Sequence, residues 1–271
     1  MKRLPRHDLS DAQWAILGPL IPAQPDGPGR KRNDPRRTLN GILWVLQTGC
    51  AWADLPARYG SGSTCWRWLQ RWMSEGIWER IWRRLLGYLD QQHHIDWRYS
   101  YMDASFVAAK KGGRAVGKTM AGKGSKIMLL TDGAGFPLSV VVGTANHHEM
   151  RYTRRTLAGV SVPQPRGRPR TRPQVFIADK AFDDRALRRS LQQRGIKVRI
   201  PPVERRKRKT PKRGRPYKVG PEFRLRWHIE RTNAWMDNSR RLVVRYERKP
   251  ELFVAFCLVA FIRWCLKRIL K

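Results

Sequence analysis

The sequence predicts an α/β fold preceded by an all-helical amino-terminal region, and three observations lead to that prediction. Nine of the twelve tryptophans lie before residue 100, within segments whose apolar residues recur at helical spacing. Near Trp97 the apolar period changes from helical to alternating, which is typical of a strand. A strand, helix, strand series over residues 175–200 indicates a parallel sheet. We therefore expect a helical region over residues 1–95 and an α/β domain over residues 96–271.

The charge of the chain points to a polyanionic partner. Its 56 Lys and Arg residues against 21 Asp and Glu residues give a formal net charge of +35. Such an imbalance is costly through self-repulsion unless the protein works beside a polyanion, and nucleic acid fits best. A small-molecule substrate is not expected.

A basic membrane-surface protein is the competing interpretation of this charge. The opening MKRLPRHDLS does not have the pattern of a signal peptide. The apolar run Leu252–Ile262 has 11 residues and is followed by Arg263, so it falls short of the roughly 20 that span a bilayer. Four cysteines without CxxC spacing indicate buried thiols in a reducing compartment. We expect a cytoplasmic protein with no membrane partner, and a buried helix at the apolar run.

The helical region carries start and stop signals for its first two helices. Ser10 and Gln13 form a capping box ahead of the first apolar series. Asp34 followed by Pro35 marks the start of a second helix, and Gly49 marks its end.

A third helix is predicted in the segment TCWRWLQRWMSEG. Trp66, Leu69 and Met73 share one face of it, while Arg67 and Arg71 lie together away from that face. The second helix, the connection after it and this third helix with its exposed arginines resemble a helix-turn-helix. In that motif the second helix enters the DNA major groove. The alternative is an ordinary helical bundle with solvated arginines. We favour the DNA-reading interpretation.

Two aspartates lie within or directly after predicted strands, where a carboxylate needs a partner or a function. Asp103 is in the interior of the first alternating strand, where burial requires a cation, a metal or a hydrogen-bond network. Asp179 follows the buried strand Val175–Ala178, and ligands of α/β sheets sit at such strand ends. If these two strands are parallel neighbours, both aspartates lie together.

The third carboxylate, Glu230, is surrounded by arginines in the segment FRLRWHIERTNAWMDNSRRLVVRYER. On a continuous α-helix, Glu230 would share nearly one face with Phe223, Arg226 and Asp237. We expect this helix to pack across the two aspartates. Carboxylate oxygens select Mg²⁺ or Mn²⁺, and two such ions suit in-line displacement at a phosphodiester.

Several other segments have simpler interpretations. The stretch Lys110 to Ser125 is expected to be a flexible loop. Residues 126–131 and 138–142 are expected to form a hairpin in which Asp132 belongs to the turn. A run of eight Lys and Arg residues lies within residues 205–215, inside a basic segment at 203–220, and fits a phosphate backbone.

Taken together, these motifs resemble the DDE transposases of bacterial insertion sequences, specifically the insertion-sequence-five group of the insertion-sequence-four-like superfamily. The resemblance runs over essentially the whole chain, through LSDAQWAILGPLIP, YMDASFV, KIMLLTDGAGFPLSVVV, IADKAFD and the block around Glu230. It implies an RNase H-like catalytic domain in which Asp103, Asp179 and Glu230 are catalytic and bind Mg²⁺ or Mn²⁺, as two ions. In the family pattern around the glutamate, Phe223 stands here where the family has Tyr, and Asp237 stands where it has Lys.

The resemblance also implies function and partners. We expect binding of element ends, cleavage to free 3′-hydroxyls and joining to target DNA, with a homodimer pairing two ends. The alternative is a catalytically inactive DNA-binding regulator of the element. The residues expected to contact DNA are Arg67, Arg71, Arg205, Arg206, Lys207, Arg208, Lys209, Arg226, Arg240 and Arg241.

Overall fold

The computed structural model of the chain describes residues 6–22, 33–203 and 220–271. Within these ranges the α-helices are α1 (Asp11–Leu17), α2 (Pro35–Thr48), α3 (Gly62–Ser74), α4 (Ile77–Gln91), α5 (Met150–Ala158), α6 (Arg185–Gln193), α7 (Trp227–Asp237), α8 (Arg240–Val243) and α9 (Pro250–Ile269). The strands are β1 (Tyr99–Ala109), β2 (Gly117–Thr119), β3 (Gly122–Asp132), β4 (Pro137–Thr144), β5 (Val175–Ala178), β6 (Lys197–Arg199) and β7 (Val244–Arg245).

One mixed sheet carries all of these strands. Antiparallel strands β4, β3 and β1 form one half, and β5 and β6 continue the sheet from β1 in parallel. Strand β2 extends the edge of β3, and β7 pairs in parallel with the far end of β1. The predicted α/β class is confirmed, and the first strand and the strand at 175–178 are parallel neighbours, which meets the condition for bringing Asp103 and Asp179 together.

The hairpin between β3 and β4 turns on Asp132, as predicted. Its carboxylate accepts hydrogen bonds from the backbone N–H groups of Ala134 at 3.0 Å, Phe136 at 2.6 Å and Asp96 at 2.8 Å. The side chain is fully buried, and this burial raises the pKa of Asp132 to about 7. Asp132 therefore joins the turn to the segment that enters β1.

The first two helices begin and end where the sequence predicts. Ser10 and Gln13 form the capping box of α1. Asp34 caps α2 by accepting the N–H of Arg36, and Gly49 closes that helix in the left-handed conformation, with φ of 73°.

Helix α9 lies at the centre of the molecule. It packs against α3 and α4 on one side and β4 on the other, and most of its side chains are buried. Trp82 of α4 meets Phe261 with ring centroids 5.4 Å apart, and Phe136 before β4 meets Trp264 at 4.9 Å. No helix in the described ranges, α9 included, combines the length and apolarity needed to cross a bilayer. The division into a helical region at residues 1–95 and an α/β domain at residues 96–271 stays a prediction.

Two local predictions were wrong. The stretch Lys110 to Ser125 contains β2 and the start of β3, because these residues pair with one another around Gly122. The single helix expected from Phe223 onward is interrupted. A 3-10 helix (Pro221–Arg226) precedes α7, and the chain turns at Asn238 and Ser239 before α8.

Candidate active site

The sheet places Asp103 and Asp179 at the same level of two adjacent parallel strands. The register pairs Met102 of β1 with Ala178 of β5, and each aspartate is the next residue on its strand. Asp103 lies within β1, with 24% of its side chain exposed. Asp179 directly follows β5, and its carboxylate accepts the N–H of Lys180 to cap a short 3-10 helix.

Arg226 links the two aspartates. Its Nη2 lies 3.7 Å from Oδ1 of Asp103, and its Nη1 lies 3.9 Å from Oδ2 of Asp179. Only 16% of the arginine side chain is exposed, and its guanidinium lies 5.4 Å from the ring centre of Phe223. A cation held over an aromatic ring and shared between two carboxylates balances charge that the strands have brought together. We expected Arg226 to contact DNA, and in the structure it faces the aspartates.

Helix α7 brings further groups to the same place. Glu230 is exposed one turn after Arg226. Asn233, three residues further along, donates from Nδ2 to Oδ2 of Asp103 at 3.2 Å. The spacing of these residues puts them on one side of the helix, which packs on β1.

The charges of this cluster influence one another. Burial raises the pKa of Asp103, and the negative charges of Glu230 and Asp179 add to that rise. The backbone N–H of Ala104 and the guanidinium of Arg226 act in the opposite direction. Asp103 is therefore close enough to Glu230 and Asp179 for their charges to act on it, and Arg226 lies between the two aspartates.

The donor chemistry of these residues fits a hard divalent cation, since three carboxylates and an amide offer oxygen ligands. Within residues 6–22, 33–203 and 220–271, however, no three His, Cys, Asp or Glu side chains are grouped closely enough to hold a metal ion. The carboxylates form an open set in which Arg226 supplies the positive charge.

The two arginines beyond α7 have different surroundings. Arg240 is exposed, whereas Arg241 is buried and forms an ion pair with Glu247, with Nη2 to Oε1 at 2.7 Å. Arg241 also donates to the carbonyl of Cys50 at 3.2 Å. The prediction that Arg241 contacts DNA was therefore wrong: the turn after α7 directs its side chain into the protein.

Asp237 is the last residue of α7 and is exposed. It was expected to share a face with Phe223 and Arg226 as well as Glu230. Phe223 and Arg226 precede α7 in a 3-10 helix, so the continuous α-helix on which this expectation was based is interrupted.

The arginines of α3 are exposed, as predicted. Arg71 pairs with Glu75 at 2.7 Å and lies over the ring of Trp68, and Arg67 donates to Thr64 at 3.4 Å. The predicted buried face was partly wrong, because Trp66 is exposed on α3. The buried residues of this helix are Cys65, Leu69 and Trp72. The predicted DNA contacts Arg205, Arg206, Lys207, Arg208 and Lys209 lie outside the described residues.

In the sheet, antiparallel strands β4, β3 and β1 are continued by the parallel strands β5 and β6. Asp103 and Asp179 lie where β1 meets β5, and α7, which carries Glu230, packs on β1. This arrangement defines an RNase H-like α/β enzyme. Residues 100–265 match the family model described as "Transposase DDE domain", and residues 9–82 match "Putative transposase of IS4/5 family (DUF4096)". The first match covers more than half of the 271 residues. The chain belongs to the DDE transposase family.

Individual relatives agree with this assignment. An uncharacterized 16.2 kDa protein of insertion element IS402 from Burkholderia cepacia is 38% identical over 117 residues, which are 41% of this chain and 80% of that protein. The "Putative transposase for insertion sequence element IS402" from the same organism is 34% identical over 134 residues, 49% of this chain and 58% of its own length. This chain therefore spans little more than half of that second relative.

A solved structure shares the fold. The piggyBac transposase, solved as a synaptic complex with hairpin DNA, superposes with a TM-score of 0.50 at 11% sequence identity. The superposition covers 93% of this chain and 69% of piggyBac.

Proposed function

We propose that this transposase binds the ends of an insertion sequence, cleaves them to free 3′-hydroxyls and joins these to target DNA by transesterification. Asp103, Asp179 and Glu230 are the catalytic carboxylates in this proposal. The observation that carries it is the placement of Asp103 and Asp179 on adjacent parallel strands, linked by Arg226 beneath the helix that bears Glu230. A binding protein without chemistry has no need of such a cluster on a chain of net charge +35.

The same three carboxylates are the proposed ligands of Mg²⁺ or Mn²⁺, as two ions, and they would have to move closer together than in this structure to hold them. When bound, these ions would polarise the phosphodiester and stabilise the attacking and leaving oxygens of an in-line displacement. Arg226 lies between Asp103 and Asp179 and balances negative charge there. Asn233 fixes the orientation of the Asp103 carboxylate through its hydrogen bond to Oδ2.

DNA is the proposed partner, both as element ends and as target. Arg67 and Arg71 are exposed on α3, the second member of the helix pair α2 and α3, where a helix-turn-helix would present base contacts. Arg205 to Lys209 and the exposed Arg240 would contact phosphates. Pairing of two ends by a homodimer belongs to the same proposal, as does a DNA-binding role for residues 1–95.

The test is cleavage of labelled element ends by purified variants in Mg²⁺ or Mn²⁺. Asp103→Ala and Asp179→Ala should each abolish cleavage, because each removes a ligand oxygen, while end binding survives or tightens as an acid near phosphate is lost. Glu79→Gln is a matched control, since this carboxylate is exposed on α4 and pairs with Arg83. Cleavage retained by either aspartate variant would refute the assignment.

A catalytically inactive regulator is the second candidate. The open arrangement of the carboxylates favours it. Arg226 lies between Asp103 and Asp179, and among the described residues no three His, Cys, Asp or Glu side chains are close enough to bind one metal ion. The same assay separates the two functions. A regulator would bind ends specifically, yet show no strand cleavage with either metal ion.

A further inference from the structure

A large basic cavity lies apart from the carboxylate cluster, where the amino-terminal segment, α2, the α7 to α8 turn and α9 meet. Its volume is about 790 Å³. We call it the basic cavity. Its ionisable lining residues are Arg6, His7, Asp237, Arg240, Arg263 and Lys267.

Positive charge in the basic cavity is not balanced by the protein. Four arginine or lysine side chains face one carboxylate, that of Asp237. Within the described ranges, none of the ion pairs closer than 4 Å involves any of these five residues. A concave surface with several unpaired cations is an environment that favours an anion.

The cations also repel one another. Arg263 and Lys267 are four residues apart on α9, so like charges stand on neighbouring turns of one helix. Burial lowers the pKa of Lys267, and the positive charge of Arg263 lowers it further. Burial likewise lowers the pKa of His7, with Arg263 and Arg6 acting in the same direction. An anion in the cavity would relieve this repulsion.

The walls of the basic cavity are held by contacts that do not involve its cations. Gln47 of α2 donates to Ser239 in the turn after α7 at 2.9 Å. Trp235 of α7 stacks on Trp264 of α9 with ring centroids 3.8 Å apart. The cavity is therefore built from fixed elements, and its volume exceeds what a single phosphate ion needs. It can take a phosphodiester together with its neighbouring sugars.

We propose that the basic cavity binds a DNA backbone phosphate at a site separate from the carboxylate cluster. This inference rests on the proposed DNA-binding function and adds Arg6, Arg263 and Lys267 to the surface that contacts DNA. The site recognises phosphate, which could also come from a free phosphate ion, and the experiment separates these two sources.

The first arm measures the affinity for a DNA duplex as a function of salt, without divalent metal. The double variant Arg240→Gln with Lys267→Gln is chosen because both side chains are exposed and their loss spares the core. Its salt slope should fall by one to about two, since each lost phosphate contact removes about one. The control, Arg248→Gln with Arg268→Gln, removes the same charge from exposed residues outside the cavity and should keep the slope of the parent. Asp237→Asn should bind DNA more tightly, because it removes the opposing charge.

The second arm measures the melting temperature in inorganic pyrophosphate, again without metal or DNA. The parent and the control should be stabilised, and the cavity double variant should not. If the cavity variant loses stabilisation by pyrophosphate but keeps the parental salt slope, the site takes free phosphate and the DNA assignment is overturned. If the cavity variant matches the control in both arms, the whole proposal is overturned. A chain that shows the expected slopes yet never cleaves DNA would refute only the enzymatic function.

Discussion

Removing the guanidinium of Arg241 should destabilise the fold, because Glu247 would remain buried without its cation. The two side chains are only 8% and 5% exposed, and the shortest contact between them is 2.7 Å. Breaking one partner of such a buried pair costs about 3–5 kcal/mol. For a chain of this size, that corresponds to a fall in melting temperature of roughly 6–20 °C.

The assay is guanidinium unfolding followed by tryptophan fluorescence, with the melting temperature measured in parallel. Arg71→Ala is the control, since its pair with Glu75 is 52% and 42% exposed and such pairs contribute only about 0.3–0.5 kcal/mol. Replacing both partners, Arg241→Met with Glu247→Leu, should recover most of the loss because no charge is left buried. A loss below about 1 kcal/mol in Arg241→Ala, or a double variant as unstable as the single one, would contradict this account.

Three further predictions concern other parts of the molecule. Asp132 has a pKa of about 7 in the fold against 3.8 unfolded, so the folded state binds more protons and its stability falls as pH rises between these values. The stability advantage of the parent over Asp132→Asn should therefore shrink between pH 4 and pH 7, by at most about 4 kcal/mol, and level off above; a pH-independent difference in denaturation curves would refute this. Gly62→Ala should lower the free energy of unfolding by roughly 1–3 kcal/mol in the same assay, because a Cβ there would overlap the carbonyl oxygen of Trp52. An unchanged unfolding midpoint would show that the segment around Trp52 moves aside without cost. Arg67→Ala or Arg71→Ala should reduce discrimination between element ends and random DNA by roughly 1–3 kcal/mol in competition binding, whereas a uniform loss on all DNA would exclude base reading by α3.

The strands that carry the two aspartates could be predicted because their signals are local. Asp103 stands out as a carboxylate within an alternating apolar strand, and Asp179 as one directly after a buried strand. The helix between β5 and β6 indicated a parallel sheet, and parallel pairing of β1 with β5 was the condition for bringing the aspartates together. That reasoning correctly placed the aspartates on neighbouring strands.

Other parts of the candidate site depend on where the backbone changes direction, and periodicity does not report that. Phe223 and Arg226 have helical spacing to Glu230, but the sequence does not mark the change from a 3-10 helix to an α-helix between them. Asn233 was missed although it lies three residues after Glu230, because an amide among charged residues gives no signal of its own. Arg241 looks like an exposed cation in the sequence. In the structure it is buried with partners that the sequence does not mark, namely Glu247 and the carbonyl of Cys50.

The central position of α9 has a consequence for the order in which the chain folds. Helices α3 and α4 end by Gln91, yet the helix that completes their apolar core begins at Pro250. During synthesis, therefore, the tryptophans of α3 and α4 stay exposed until α9, which ends at Ile269, has left the ribosome. Contacts this distant in sequence slow folding and prolong exposure of apolar surface. A chain shortened before α9 should leave the amino-terminal helices without their packing partner and prone to aggregate.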